Sequence, residues 1–207
     1  WGEVVNPDAD CRVMGDVGRL LITVPGTPHD FAAELGRWNA PRVMTRVKGD
    51  FIVQVRVSGA LDPGNQSTAD NRRAYQGAGL RIVADDRNHV SLQKGAGLNG
   101  DGVRRYANFE ARKDGKVQGS RSGIELEIRP NWLRLERHGT HIHALVSDDG
   151  VRWKAYDPID LDGLPDEVSV GVEAVSSSAH DFMSEFDHFA VFQRTAPATQ
   201  PAAAAAK

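Results

Sequence analysis

Residues Asn131 to Tyr156 read NWLRLERHGTHIHALVSDDGVRWKAY, and the pattern in this stretch decides the fold. Three runs alternate apolar and polar residues, separated by His138-Gly139 and Asp149-Gly150, pairs that tolerate the positive φ of two-residue hairpin turns. With those turns, Leu135 is expected to face Ile142, Leu133 to face Ala144, Val146 to face Trp153, and Ala144 to face Ala155. Both registers place the apolar set on one face, and a one-residue shift in either turn is expected to send that set to water. The other face then carries Glu136 beside His141, with Arg134, His143 and Tyr156 in a row across the three strands. Such a face suits two roles. It is the ordinary solvated side of a half-buried antiparallel sheet, or a surface whose planar, hydrogen-bonding side chains meet sugar hydroxyls.

Outward from this stretch the same period recurs. Leu20, Ile22 and Val24 alternate, as do Phe51, Val53, Val55 and Val57, then Val168, Val170, Val172 and Ala174, and Phe182 to Gln193 forms a last strand. Leu80 is expected to pair with Leu92 and Ile82 with Val90, which turns Arg81, His89, Ser91 and Gln93 outward. Tyr106, Asn108 and Glu110 alternate with Ala107, Phe109 and Ala111, and Ile124, Leu126 and Ile128 with Glu125, Glu127 and Arg129. Trp1 to Asp16 is rich in turn residues. His29 to Trp38 reads as a loop with one helical turn, Leu61 to Tyr75 as a long loop, and the glycine-rich Gly95 to Gly102 as another. A dozen or more short strands without a long helical period point to an all-β, antiparallel two-sheet β-sandwich. The expected division is one domain over 1–194 and a Pro/Ala-rich tail or linker over 195–207.

Composition narrows the function classes. A net charge of −3 and a pI near 6.2, with no run of lysine or arginine, give no footprint for nucleic acid. No apolar run approaches the length that crosses a bilayer, so membrane insertion is not expected. The chain starts at Trp1, which suggests a trimmed or processed piece. Cys11 is the single cysteine; an intramolecular disulfide and a cysteine-rich zinc site are both excluded, and neighbouring Asp8 and Asp10 disfavour its thiolate. Cys11 is therefore read as a structural thiol.

The order of Ala40-Pro41-Arg42-Val43 with Val47 to Phe51, Gln76 to Leu80, Asn131 to Leu135, and Ser147 to Gly150 with Trp153 resembles the concanavalin-A-like lectin/glucanase superfamily, and within it the family related to the fungal regulation-of-enolase protein. The resemblance runs from about Trp1 to Phe192. It implies a jelly-roll sandwich, and an extracellular setting or attachment to a larger host protein. It implies no reaction, because the matching residues are mainly turns and core positions.

Chemical signatures are incomplete. Laminarinase-type glycosidases on this architecture carry Glu-x-Asp-x-x-Glu, and Glu185-Phe186-Asp187-His188-Phe189-Ala190 ends in alanine where the acid should stand. Glu125 and Glu127 share a strand face at roughly 6.5–7 Å, which suits inversion but is also ordinary solvent-face patterning. His141 and His143 with Glu136 resemble a metal-ligand set, opposed by Arg134. Ser147 to Trp153 is one residue short of an Asp-box, and an aspartate-closed turn explains it. No catalytic residue, metal ligand or cofactor is assigned. The expected ligand-binding set is Arg81, His89, Gln93, Tyr106, Arg134, Glu136, His141, His143 and Tyr156. The expected function is a non-catalytic carbohydrate-binding or adhesion module, secreted, periplasmic or on the cell surface, with a glycan as partner. The alternatives are a glycoside hydrolase or lyase using carboxylates of the polar face, and a structural assembly domain without a small-molecule ligand. In the last of these the tail is ordered against a neighbouring subunit, as a homo-oligomer, or joins a larger host protein.

Overall fold

The computed structural model describes residues 1–32, 36–100 and 102–193. The Pro/Ala tail and part of the expected helical turn after His29 lie outside them. The described residues form fifteen strands in two antiparallel sheets. The first sheet runs β1 (Glu3–Val5), β4 (Arg42–Lys48), β14 (Glu167–Ser176), β6 (Tyr75–Val83), β7 (His89–Asn99), β8 (Gly102–Lys113), β9 (Lys116–Arg121). The second runs β12 (Lys154–Ala155), β11 (His141–Ser147), β10 (Asn131–His138), β5 (Phe51–Ser58), β15 (Phe182–Gln193), β3 (Arg19–Val24), β2 (Arg12–Asp16), with β13 (Ile159–Asp160) beside β11.

The alternation explains why the sheets stack. Val53, Val55, Leu133, Leu135, Ile142 and Phe186 of the second sheet meet Leu80, Ile82, Leu92, Phe109, Val170 and Val172 of the first, all wholly buried. At about 1.5–3 kcal/mol for each large apolar side chain removed from water, this layer is the main favourable term. The pairings Leu80–Leu92 and Ile82–Val90 are those expected from the sequence. An inward lysine interrupts the apolar layer: Lys94 on β7 is fully buried and donates to the carbonyls of Ile128 and Arg129 at 3.2 and 2.8 Å.

Several local expectations are corrected. The hairpin between β10 and β11 closes with His138 opposite His141, so its loop is Gly139-Thr140, and Leu135 faces Ala144 while Leu133 faces Val146. Asp50 sets this turn by accepting the Gly139 N–H at 2.7 Å, where Gly139 has φ +61°. Moving a turn by one residue moves every partner by two, which keeps the apolar face inside; the expected exposure does not follow. The next turn is longer. Ala155 faces Leu145 and Lys154 faces Val146, and Trp153 lies outside, beneath the Arg134 guanidinium at 3.9 Å. Asp149 closes this turn by accepting the Val151 and Arg152 N–H groups at 2.9 and 2.8 Å, which together hold its carboxyl well below the usual range. The segment carrying Glu125 and Glu127 has only an isolated bridge from Glu125 to Tyr106 instead of a strand, and the N-terminal region contributes β1 and β2. Gly95 and Gly97 belong to β7 and not to a loop.

Candidate functional site

The outer face of the seven-stranded sheet holds a cleft of about 500 Å³, walled by β6, β7 and β8 and by the segments around Asp30 and Arg72. The pairing of Leu80 and Ile82 inward dictates which side chains face it. Arg81, His89, Gln93 and Tyr106, all expected from the sequence, line it together with Tyr75, Asn108 and Glu110.

Outward on the sheet does not mean exposed here. Arg81, His89 and Gln93 are 3%, 3% and 4% exposed, because Phe31 and Trp38 cross over this part of the face. The Arg81 guanidinium lies 3.9 Å from the Phe31 ring centre, Phe31 meets Trp38 edge-on at 4.7 Å, and Trp38 meets His89 at 5.0 Å. Beneath them is Glu173 of β14, wholly buried. Its Oε1 accepts from Arg81 Nη2 at 3.0 Å and Gln93 Nε2 at 2.7 Å, and its Oε2 accepts from Arg81 Nε. Arg81 Nη1 donates to His89 Nδ1 at 2.5 Å, and Tyr75 donates its hydroxyl to Gln93 Oε1 at 2.8 Å. A buried carboxylate is tolerable only with such partners.

Glycine gives Tyr75 its place. A Cβ on Gly77 would come within 2.8 Å of the Tyr75 ring and hydroxyl, and one on Gly95 within 2.8 Å of the ring. The ring therefore lies against a backbone floor on β6 and β7. Tyr106 stands beside it, ring centres 6.4 Å apart, with the Arg104 guanidinium 5.1 Å from the Tyr106 ring. Burial pushes the Tyr75 hydroxyl well above its ordinary range and raises Tyr106 as well, so both are neutral donors near neutral pH. Burial also raises Asp30, partly offset by the Phe31 N–H and by Arg72, Arg81 and Arg112. Glu110 is engaged by Arg112 Nε at 2.7 Å.

The remaining expected residues do not join this cleft. Arg134, Glu136, His141 and His143 lie on the outer face of the other sheet, so the nine side chains do not form one platform. There Glu136 faces His143, Arg134 donates to Gln54 Oε1 from Nη2 at 2.8 Å, Glu136 lies 3.4 Å from His138, and His141 contacts Asp160. Tyr156 is not on that face at all. It packs against the core, stacked on Phe109 at 6.2 Å, and donates to the Ala107 carbonyl at 2.7 Å while accepting the Ile124 N–H.

The carboxylates considered for catalysis are likewise dispersed. Glu185 and Asp187 sit on the eight-stranded sheet, where Asp187 is held by Arg56 Nε at 2.8 Å and Nη2 at 2.5 Å and stays ionised below the usual range. Glu125 and Glu127 pair with Arg104 and Arg129. Cys11 is buried, and burial with Asp10 and Asp8 pushes its thiol up to about 12, which rules out a nucleophilic thiolate in this state.

Sequence reasoning missed Tyr75, Phe31, Trp38, Asp30 and Glu173. Glu173 did leave a signal, a charge in the middle of an otherwise small and apolar strand.

No family model matches this sequence, and no curated protein matches it. Solved structures do. A functionally unknown protein from Saccharomyces cerevisiae superposes with a TM-score of 0.74 at 17% identity, over 94% of this chain and 97% of that one. The carbohydrate binding module CBM66 from Bacillus subtilis gives 0.53 at 11% identity, over 93% and 96%. The likeness is one of fold, an all-β sandwich of two antiparallel sheets. A xylan β-1,4-xylosidase from Bacillus halodurans gives 0.57 at 14% identity; 93% of this chain is covered, but the chain spans only 39% of the enzyme.

Proposed function

We propose that this β-sandwich is a carbohydrate-binding module whose ligand sits in the cleft over Tyr75 and Tyr106. The carrying observation is the arrangement of those two neutral tyrosines beside Gln93, Asn108 and Arg104 above a floor whose charges are already matched. Sugars present apolar ring faces and many hydroxyls. Aromatic surface with a few fixed polar tips supplies contact for the first and partners for the second. The likeness to a carbohydrate binding module and to a xylosidase supports a saccharide over other small polar ligands. The whole-chain likeness to the yeast protein is one of fold, and the finer resemblance to relatives of the fungal regulation-of-enolase protein rests on the sequence motifs alone.

A second reading, a glycosidase or lyase, is favoured by one observation: Asp30 lines the cleft with a carboxyl raised by burial, the property of a general acid. Its weakness is the partner. Hydrolysis needs a second carboxyl group, and Glu110 is tied to Arg112. An oligosaccharide array followed by calorimetry on the best ligand tests the main reading. Tyr106→Ala should weaken binding by about tenfold or more, at about 1–2 kcal/mol for a lost stacking and hydroxyl contact. Unchanged affinity in Tyr106→Ala, or binding that Arg134→Ala abolishes instead, defeats it. Release of reducing ends that Asp30→Asn stops would favour the enzyme.

A further inference from the structure

The turn at Asp8 to Cys11 meets the connection between β3 and β4 at His29. Donor atoms of Asp10, Cys11 and His29 all lie within 4.8 Å of one another. His29 Nε2 is 3.1 Å from Asp10 Oδ1 and 3.3 Å from Asp8 Oδ2. The imidazole and the thiol are 1% and 3% exposed, and the two carboxylates reach solvent.

The hydrogen bonds around this cluster assign its electrons. His29 Nδ1 lies 3.0 Å from the Thr27 carbonyl oxygen, which can only accept, so Nδ1 carries a proton. Nε2 in the neutral ring is then a lone pair, and it faces two carboxylate oxygens that are also acceptors. Beside this buried imidazole nitrogen and the two carboxylates the uncharged donor is the weak Cys11 S–H, which cannot satisfy all three. The arrangement calls for a cation at its centre: a second proton on the ring, or a metal ion.

The outer contacts favour the metal. Metal-bound histidine commonly donates its other N–H to a carbonyl, and metal-bound carboxylates are themselves held by hydrogen bonds. Here Thr27 Oγ1 donates to Asp10 Oδ2 at 3.0 Å. Zinc bonds of about 2.0–2.3 Å at tetrahedral angles put ligand atoms about 3.3–3.8 Å apart, close to the 3.1 Å between His29 Nε2 and Asp10 Oδ1. Sulfur and imidazole together select zinc over calcium or magnesium, which prefer oxygen alone.

We propose that Asp10, Cys11 and His29 form a zinc site that fastens the N-terminal turn to the β3–β4 connection, with Asp8 beside the His29 ring. Binding forms three bonds to the protein, a water completes the tetrahedron, and the thiol proton leaves to solvent. The site stands next to the cleft wall: the His29 backbone pairs with Ser176 at the end of β14, and Asp30 and Phe31 follow directly. Zinc would thus hold in place the segment that covers Arg81.

The test uses the full chain stripped with a chelator and then titrated with Zn²⁺ or Co²⁺ alone. The expected result is one equivalent bound, a thiolate-to-cobalt charge-transfer band with tetrahedral d–d absorption, and a melting temperature that rises with added zinc. Cys11→Ser should abolish the charge-transfer band. Asp10→Asn, at a half-exposed position that does not threaten folding, should weaken binding by about ten- to a hundredfold or more. Absence of stoichiometric binding overturns the proposal. So does binding that neither substitution changes, or a His29-dependent stability that added zinc leaves unmoved, which would mark a protonated imidazole between two carboxylates.

Discussion

Arg81 and Glu173 are joined across adjacent strands, β6 and β14, by a two-pronged ion pair that is almost wholly removed from solvent, and this pair is the floor on which the cleft rests. Removing one partner leaves the other as an uncompensated buried charge. Arg81→Met or Glu173→Leu should each cost about 3–5 kcal/mol, while the double substitution should cost clearly less than their sum. Urea denaturation of the four proteins measures this. Single losses below about 1 kcal/mol would mean that the pair does not carry the floor.

Lys94 gives the protein an alkaline signature. Burial, with Arg105 nearby, pulls its ammonium down to about 8, so the folded state prefers the neutral amine relative to the unfolded chain. Between about 8 and the ordinary lysine value near 10.4 the unfolded chain binds more protons, so stability should rise with pH through that window by up to the order of 3 kcal/mol. Below about 8 both states hold the proton, and the penalty of burying it is fully present. Tyr75 acts in the opposite sense: its stabilisation is complete below about 10 and is lost above, because the unfolded phenol ionises first. Cys11, whose thiol is raised to about 12, also loses stability above the ordinary thiol value near 8.5, so the comparison belongs in a Cys11→Ala background, where denaturation curves from pH 7 to 10 should climb and where adding Lys94→Met should flatten them.

Arg134 and His143 provide the control for the cleft. Both belong to the other sheet, Arg134 sandwiched between Trp153 and Gln54, so Arg134→Ala and His143→Ala should leave saccharide affinity within about twofold. Stability should fall by about 0.5–2 kcal/mol in Arg134→Ala from the lost cation–π contact and hydrogen bonds. A large loss of affinity in either would move the binding site to that face.

These outcomes also measure what the chain reveals by pattern alone. The pairing of Leu80 with Leu92 fixed the face of Arg81, His89 and Gln93, because a two-residue period leaves only two faces. Their burial was hidden, since it comes from Phe31 and Trp38, far off in sequence and in no regular element. Tyr156 was misplaced because the turn before it is longer than two residues, and an odd shift inverts a side chain. Glu173 needed its partner on β6 to be understood. The glycines of β7 read as a loop because glycine weakens a strand, when here one of them, Gly95, makes room for a ring.

That room supports the sharpest test of the cleft. Gly77 and Gly95 lie on neighbouring strands, paired opposite one another, and the Tyr75 ring covers both. The atoms a new Cβ would meet are the far end of a side chain, not backbone, so the sheet can keep its register while the ring swings away. Gly95→Ala should therefore cost about 1–3 kcal/mol by overpacking and break the Tyr75–Gln93 hydrogen bond. Tyr75→Phe removes that bond alone and should cost about 1 kcal/mol. If the ring orients the ligand, affinity should fall much more in Gly95→Ala than in Tyr75→Phe, and Gly95→Ala combined with Tyr75→Ala should lose little further affinity. Calorimetry with the best saccharide and urea denaturation on the same proteins separate the two effects. Full affinity in Gly95→Ala would show that the ligand does not depend on where Tyr75 stands.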